Sequence, residues 1–300
     1  MRNRFNKLSI QQKQAIWAYA FLLVPLVFYL LIRIYPAFNA LYISLTDWDI
    51  ISADKNLVLF ENYAKLYQDR LFWKTLGNTF KYVIYGLPVN LLLSFLVAYN
   101  LNKLRRGLGL YRTLYFIPYM TSLVAVSWVW RWLYQPLPLG FFNNILSLLG
   151  IAEQPFLLSP NQALQAILAP TIWVQMGFQI IIFLAGLKGI PAYLYEAAAI
   201  DGANNRQQLF RLTIPLLRPT IIFLVITGTI RYLRIFTQVY SMSFQGDGGP
   251  LNSTKPLVLY IYNSAFQRFE MGYASAMTIV LFVIILLITL FQLKVLNKND

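Results

Sequence analysis

The chain has 300 residues, of which 58% are hydrophobic and 12% are charged, and this balance excludes an ordinary soluble protein. Lys and Arg outnumber Asp and Glu by 25 to 11, which gives a net charge of +14. Such an excess is found in nucleic-acid-binding proteins, but cytoplasmic loops of membrane proteins also accumulate Lys and Arg. The sequence contains neither Cys nor His, so thiolate and imidazole chemistry is excluded.

Six apolar segments are long enough to cross a bilayer, whose hydrocarbon core of roughly 30 Å takes about 20 helical residues. The predicted spans are residues 16–34, 83–101, 114–132, 166–187, 220–240 and 274–291. The fifth is the least regular, because Arg231 and Arg234 interrupt its apolar run. The predicted fold class is therefore all-α, a polytopic membrane protein in which residues 1–300 form one transmembrane domain.

The distribution of basic residues predicts the orientation of these spans. Fourteen Lys and Arg residues lie before the first span, between the second and third, between the fourth and fifth, and after the last. The same four segments contain three acidic residues, Glu196, Asp201 and Asp300, so they hold most of the excess positive charge. Because such loops stay in the cytoplasm, both termini are predicted to be cytoplasmic, and nucleic-acid binding is not needed to explain the charge.

The predicted cytoplasmic loop 188–219 contains the most ordered motif of the chain. Residues 193–200 favour a short helix, since Glu196 and its neighbouring alanines have high helix propensity. Asp201 and Gly202 predict a turn, and a second short helix over 205–212 is predicted to end before Pro215. Two short helices with small residues at their corner form a surface that a partner can approach closely.

This loop resembles the EAA loop of permeases from binding-protein-dependent ABC importers. The residues that carry the resemblance follow in the order and spacing of that loop: Glu196, Ala197, Ala198, Asp201, Gly202, Ala203 and Pro215. The resemblance implies that they form the ATPase-coupling helix, which docks into a cleft of a separate ATP-binding subunit. The sequence departs from the common pattern at Arg206 and Leu209, where bulky aromatic residues are usual.

The resemblance extends over most of the chain and implies the other components of an importer. Residues 33–49, 78–102, 111–134 and 260–282 are similar to carbohydrate-type permeases, including those of glycerol-3-phosphate and disaccharide importers. This implies the type I ABC importer permease fold in an inner membrane, and a sugar, glycoside or polyol-type solute. The implied partners are the lipid bilayer, a second homologous permease, two ATP-binding subunits that hold ATP and Mg²⁺, and an extracytoplasmic solute-binding protein.

The chain itself is predicted to have no catalytic or metal-binding residues and no cofactor. The phosphate-binding pattern G-x-x-x-x-G-K-[ST] does not occur, so ATP hydrolysis is expected in a partner, and the glycines of 246–250 predict a turn. The alternatives are an ATP-independent secondary transporter, a membrane-embedded enzyme and a structural scaffold. The secondary transporter is disfavoured because ion coupling needs acidic residues inside the spans, and the acidic residues of this chain lie outside the predicted spans.

Arg231 and Arg234 are the charges that orientation does not explain. Counted from Thr220, they lie roughly 16 and 21 Å along a helix, where a charge costs at least about 2.5 kcal/mol. We predict that Arg231, Tyr232, Arg234 and Gln238 line the substrate pathway and donate hydrogen bonds to a hydroxyl-rich or anionic solute. In the alternative, the arginines pair with a neighbouring subunit or extend to the membrane surface.

Two further polar pairs lie within predicted spans, each with members one helical turn apart. They are Asn90 with Ser94, and Gln175 with Gln179. Polar side chains in spans often hydrogen-bond to a neighbouring helix, so both pairs are predicted to join helices.

Overall fold

The computed structural model describes residues 9–51, 55–104 and 106–296, and these ranges are almost entirely helical. Within these ranges, strand-like pairing is limited to two isolated β-bridges, which join Thr46 to Leu57 and Asp49 to Glu270. Six residues that enter the orientation prediction lie outside the described residues: Arg2, Arg4, Lys7, Arg105, Lys298 and Asp300.

The helices of the described ranges differ widely in length. In chain order they are α1 (Ile10–Ser44), α2 (Glu61–Gln68), α3 (Arg70–Asn102), α4 (Leu108–Met120), α5 (Leu123–Leu133), α6 (Phe141–Leu148), α7 (Ala163–Lys188), α8 (Ala192–Ile200), α9 (Asn205–Leu216), α10 (Arg218–Leu233), α11 (Thr237–Met242), α12 (Leu257–Phe266) and α13 (Met271–Leu296). Short 3-10 turns occur at Phe156–Leu158, Phe244–Gly246 and Pro250–Asn252.

Four helices, α1, α3, α7 and α13, are each long and apolar enough to cross a membrane. Two further pairs reach the necessary length only together, and both are bent: α4 and α5 by 92°, and α9 and α10 by 64°. By length and composition, the described residues therefore contain four crossing helices, or six if each bent pair counts as one span.

The predicted third span, residues 114–132, is a bent pair in the structure instead of one straight helix. The bend follows Pro118, which lies near the end of α4. Thr121 takes an extended conformation with φ −77° and ψ 149°, and α5 starts two residues later. Proline removes one backbone donor and crowds the preceding turn, so it weakens the helix at this point.

Three π turns allow helices to continue through prolines. They lie at Leu30–Ile34, Tyr82–Gly86 and Leu209–Thr213, each ending two residues before a proline. The prediction that Pro215 ends the second loop helix is therefore wrong, because α9 continues to Leu216. Ile214 donates its amide hydrogen five residues back, to the carbonyl of Leu209, and this wider turn relieves the clash that a proline causes in a regular helix.

The chain divides into two compact units. The first contains the described residues up to Gln68 together with Ser264–Val280. Within it, the buried Asn62 side chain donates to the carbonyls of Ser44 and Thr46, at 2.9 and 2.8 Å. Gly272 donates its amide to the carbonyl of Trp48 at 3.0 Å, and any Cβ at this glycine would collide with the Thr46 carbonyl. These contacts fix the segment that follows α1.

The second unit contains Asp69–Asn263 and the described residues from Leu281 onward, with α7 in its core. Ile167 and Ile180 on α7 are fully buried, and they belong to two apolar clusters to which α3 and α10 also contribute. A helix surrounded by other helices needs no solvent-exposed polar face, and most of the buried residues of α7 are apolar.

A row of α3 side chains holds the backbone of residues 251–257, which we call the tethered segment. Lys74 donates to the carbonyl of Leu251 at 2.6 Å, and Asn78 donates to those of Asn252 and Lys255 at 2.9 and 3.1 Å. Tyr82 donates to the carbonyl of Thr254 at 3.0 Å. Since Lys74, Asn78 and Tyr82 are spaced by four residues, they lie on one face of α3 and fix the tethered segment along it.

Candidate functional site

The corner between α8 and α9 contains six of the seven predicted coupling residues. Residues 196–198 lie in α8, and Asp201, Gly202 and Ala203 form the turn that follows. The amide of Ala203 donates to the carbonyl of Ala198 at 2.9 Å, and that of Gly202 to Ala199 at 3.1 Å. Gly202 has φ +79°, a conformation that glycine adopts without strain, so this residue closes α8.

Side-chain hydrogen bonds hold the start of α9 in place behind this corner. Asn204 and Gln207 form reciprocal bonds of 2.8 and 2.9 Å that cap the helix. The hydroxyls of Tyr195 on α8 and Thr213 on α9 are 3.0 Å apart, and Thr213 is buried. The corner is therefore a braced unit, and the two helices are expected to move together. Pro215, the seventh predicted residue, lies near the end of α9 and not at the corner.

The α8 surface has no buried residue, although most of its side chains are apolar. Ile200 is 87% exposed and Tyr193 is 65% exposed, whereas apolar side chains of this size are usually covered. Glu196, Ala197, Asp201 and Gly202 are also exposed, and Ala198 and Ala203 are partly so. The corner thus presents small and apolar groups on a projecting helix, which suits contact with a protein partner.

The corner connects to the helices of the second unit through close packing at the bend between α9 and α10. Leu217, at the bend, is almost fully buried. A Cβ added to Gly186 of α7 would lie 2.6 Å from Oγ1 of Thr220 and 2.8 Å from a methyl carbon of Leu217. Arg218 donates to the carbonyl of Leu296 at the end of α13 at 2.6 Å. A displacement of α9 would therefore be transmitted to α7, α10 and α13.

A cavity of about 450 Å³ lies at the other end of α10 and includes all four predicted pathway residues. Its lining residues are Tyr119, Leu123, Val174, Gln175, Arg231, Tyr232, Arg234, Ile235, Phe236, Thr237 and Gln238. These residues come from α4, α5, α7, α10 and α11, so the tertiary fold assembles the cavity.

The prediction placed Arg231, Arg234 and Gln238 on one continuous helix, but α10 ends at Leu233 and α11 begins at Thr237. Arg234 has φ −108° and ψ 20°, and Phe236 has φ −145° and ψ −64°, so the backbone between the two helices is irregular. Irregular backbone at membrane depth is tolerated where it is buried in protein or lines a polar cavity. The break therefore agrees with the position of these residues on the cavity wall.

Tyr232 contributes to the cavity differently from the two arginines. It is fully buried in the apolar core, and its ring packs against Gly86, where any Cβ would collide with it. Its hydroxyl has no hydrogen-bond partner among the described residues. Tyr232 thus forms part of the wall, while Arg231 and Arg234 are exposed and present their charges to the cavity.

Two aromatic rings position the Arg231 guanidinium. Its central carbon lies 5.5 Å from the ring centroid of Tyr119 and 5.7 Å from that of Phe178. The two rings stack at 5.4 Å, and Gly177 permits the backbone of α4 to approach α7 at the Tyr115 carbonyl. Neither Arg231 nor Arg234 has a carboxylate within ion-pair distance in the described part of the chain. The cation–π contacts orient Arg231 without neutralising it.

Several residues of the cavity wall were not predicted from the sequence, and Gln175 was predicted to join helices instead. Gln175 lines the cavity, and Gln179 lies with Arg231 in a small adjoining space, with its Oε1 unpartnered among the described residues. Tyr119 and Phe236 carried no sequence signal that separates them from other aromatics of the spans. The interhelical prediction is confirmed for Asn90, which donates to the carbonyl of Ile172 on α7 at 2.8 Å. The hydroxyl of Ser94 has no partner in the described residues.

A second cavity, of about 560 Å³, lies beside the C-terminal end of α5. Arg131 and Asp247 both line it, together with Tyr134, Gln135 and residues of the glycine-rich turn before the tethered segment. One cation and one anion are present here, whereas the cavity around Arg231 has two cations.

Comparison with known proteins identifies the class to which this fold and these surfaces belong. The family model for the binding-protein-dependent transport system inner membrane component matches residues 70–298. The chain belongs to this family, so it is a multi-pass inner-membrane permease of an ABC importer and not an enzyme. Membership removes the secondary transporter, the membrane enzyme and the scaffold as alternatives.

Individual relatives match over nearly the full length of the chain. A probable ABC transporter permease, YesP of Bacillus subtilis (strain 168), is 37% identical over 286 residues, which cover 94% of this chain and 91% of YesP. The multiple sugar-binding transport system permease MsmF of Streptococcus mutans is 32% identical, covering 95% and 96% of the two chains. The crystal structure of a bacterial ABC transporter that imports alginate has the same fold, with a TM-score of 0.82, 24% identity, and coverage of 96% and 97%.

Proposed function

We propose that this permease forms half of the translocation pathway of an importer for a sugar, a glycoside or a related polyol. The cavity at the end of α10 carries the proposal, because hydrogen-bonding and aromatic side chains converge there around about 450 Å³. Small-molecule sites commonly have volumes of about 300–1,000 Å³ and a few convergent polar groups. The similarity to a multiple sugar-binding permease supports the solute class.

The proposed topology has six spans in a single transmembrane domain, with both termini and the α8–α9 corner in the cytoplasm. The positive charge of the segments around these points supports this orientation. The tethered segment and the cavity beside Arg131 then lie toward the extracytoplasmic side.

The proposed partners follow from this orientation. A second, homologous permease completes the pathway. A solute-binding protein delivers solute on the extracytoplasmic side, and membership in a family of binding-protein-dependent permeases supports this partner. Two ATP-binding subunits hold ATP and Mg²⁺ at the cytoplasmic side, and this chain needs no cofactor of its own. One of the two receives the α8–α9 corner through Glu196, Ala197, Ala198, Asp201, Gly202 and Ala203.

In the proposed mechanism, closure of the ATP-binding subunits displaces the α8–α9 corner as one braced unit. The displacement passes through the bend at Leu217 into α10, which has 16 residues and is therefore about 24 Å long. The cavity at the far end of α10 then opens toward the extracytoplasmic side. Solute leaves the binding protein for the cavity, and return of the corner opens the cavity inward.

Crosslinking tests the contact with the ATPase. The chain contains no Cys, so the variant Ala203→Cys carries a single thiol. In the assembled importer, with a cysteine placed in the cleft of the ATP-binding subunit, we expect a nucleotide-dependent disulfide. The matched control is Ala152→Cys, which lies between α6 and α7 in a predicted extracytoplasmic segment. Absence of the crosslink from Ala203→Cys in every nucleotide state, or equal crosslinking of the control, would rule out this contact.

A further inference from the structure

The charge of the cavity at the end of α10 restricts the solutes that it can hold. Among its lining residues are two arginines and no carboxylate. The cavity beside Arg131 differs, because Asp247 is also part of its wall. A guanidinium stays protonated, so the cavity holds two positive charges with no counter-charge from its own wall.

Arg231 and Arg234 are exposed to the cavity, and neither has an ion-pair partner among the described residues. An anion that enters the cavity is therefore attracted to two charges at short distance. Arg231 makes cation–π contacts but no hydrogen bond within the described residues, so its N–H donors are available to a ligand. The donors of Arg234 make no hydrogen bond or ion pair within the described part of the chain. Both side chains are therefore in a state that favours an anionic ligand.

The remaining wall is suited to the other surfaces of a saccharide. The rings of Tyr119 and Phe236 line the cavity and provide apolar surface for contact with the C–H groups of a sugar. The amides of Gln175 and Gln238 and the hydroxyl of Thr237 provide donors and acceptors for sugar hydroxyls.

We propose that the solute is an acidic saccharide, and that Arg231 and Arg234 bind its carboxylate while the aromatic and amide groups bind the sugar ring. The proposal rests on the pathway proposed above and adds the charge of the solute. Arginine binds a carboxylate through two parallel hydrogen bonds, which are stronger and more directional than bonds to a neutral hydroxyl. A neutral saccharide of equal size leaves both cations unpaired and therefore binds more weakly.

The test compares two disaccharides of matched size, cellobiouronic acid and cellobiose, by equilibrium dialysis. The assembled importer is reconstituted in nanodiscs without the solute-binding protein, so that the permease cavity alone is measured. We expect the acid to bind at least about tenfold more tightly, because a charge-assisted bidentate pair typically contributes one decade or more of affinity. Raising the salt concentration is expected to weaken binding of the acid and leave that of cellobiose nearly unchanged.

Arg231→Gln and Arg234→Gln are each expected to reduce affinity for the acid about tenfold while changing that for cellobiose little. Arg131→Gln is the matched control, since it removes an arginine of α5 outside this cavity, and it should leave the preference for the acid intact. Arg231→Lys and Arg234→Lys keep the charge without the planar fork and should retain part of the preference. Size-exclusion chromatography confirms that each variant complex is assembled.

Equal affinity for the two disaccharides, with both weakened by Gln175→Ala, would overturn the charge inference and leave the pathway intact. If neither Gln175→Ala nor Phe236→Ala changed the binding of either disaccharide, the pathway itself would be wrong. Dissociation of the two permeases in both Arg→Gln variants, with assembly preserved in both Arg→Lys variants, would assign the arginines to an ion pair between subunits. That result also overturns the inference.

Discussion

Some residues of this permease act through their backbone conformation more than through side-chain chemistry. Gly202 illustrates this, because its φ of +79° closes α8 and no atom lies within 4 Å of a Cβ built on it. Space is therefore available for a larger residue, and the cost of a substitution comes from the backbone. Gly150 is matched in both respects, with φ +70° and open space, but it lies between α6 and α7.

Gly202→Ala is expected to destabilise the α8–α9 corner by about 1–2 kcal/mol, the cost of a left-handed conformation for a residue with a Cβ. Hydrogen exchange at the amides of Gly202 and Ala203 should become faster, because these amides bond to the last turn of α8. The assembled importer should transport less solute per ATP hydrolysed. Gly150→Ala carries the same strain elsewhere, so it should leave this ratio unchanged. Equal ratios in both variants would show that the corner does not couple the subunits.

At the scale of elements, the long apolar helices were predicted correctly because length and hydropathy determine whether a helix suits a bilayer. The positions at which helices bend were not predicted, and the prolines show why. Pro118 precedes a bend of 92°, yet Pro36 lies in α1, which continues to Ser44. The difference is the π turn before Pro36, in which the amide of Tyr35 donates to the carbonyl of Leu30, five residues back. Sequence shows the proline but not whether the preceding turn widens.

The tethered segment is an element whose conformation depends on side chains far away in the sequence. Asn78→Ala removes two hydrogen bonds to the carbonyls of Asn252 and Lys255, which lie in strained surroundings, since Leu251 and Asn252 have positive φ. Each lost bond is expected to cost about 0.5–1.5 kcal/mol. Limited proteolysis should cut residues 251–257 faster in this variant. Asn100→Ala, which removes a side-chain bond within α3 to Leu96, is the control, and equal rates of cutting in the two variants would contradict the tether.

For the whole molecule, we expect coupling of the α8–α9 corner to the spans to depend on contact between α7 and the bend at Leu217. Gly186→Val is expected to separate these elements, because a Cβ there would lie 2.6 Å from Oγ1 of Thr220. A displacement of the α8–α9 corner would then reach α10 less completely, so ATP hydrolysis should persist while solute uptake falls several-fold. Reconstituted vesicles allow both rates to be measured. Gly77→Ala adds a methyl group on α3 into open space and should change neither. Parallel loss of both activities in Gly186→Val, with normal assembly, would argue against transmission at this contact.

The sequence by itself determined the class of the protein, because bilayer insertion depends on the length and hydropathy of contiguous segments. It also predicted the helix, turn and second helix of the α8–α9 corner, whose residues are close together in the chain and fold locally. Only the tertiary structure decided which side chains share the cavity, because Tyr119, Gln175 and Phe236 come from three separate parts of the chain. It also showed that Tyr232 is buried against Gly86, whereas Arg231 and Arg234 are exposed. The physical reason is that burial and charge pairing are properties of three-dimensional neighbours, which the order of residues does not specify.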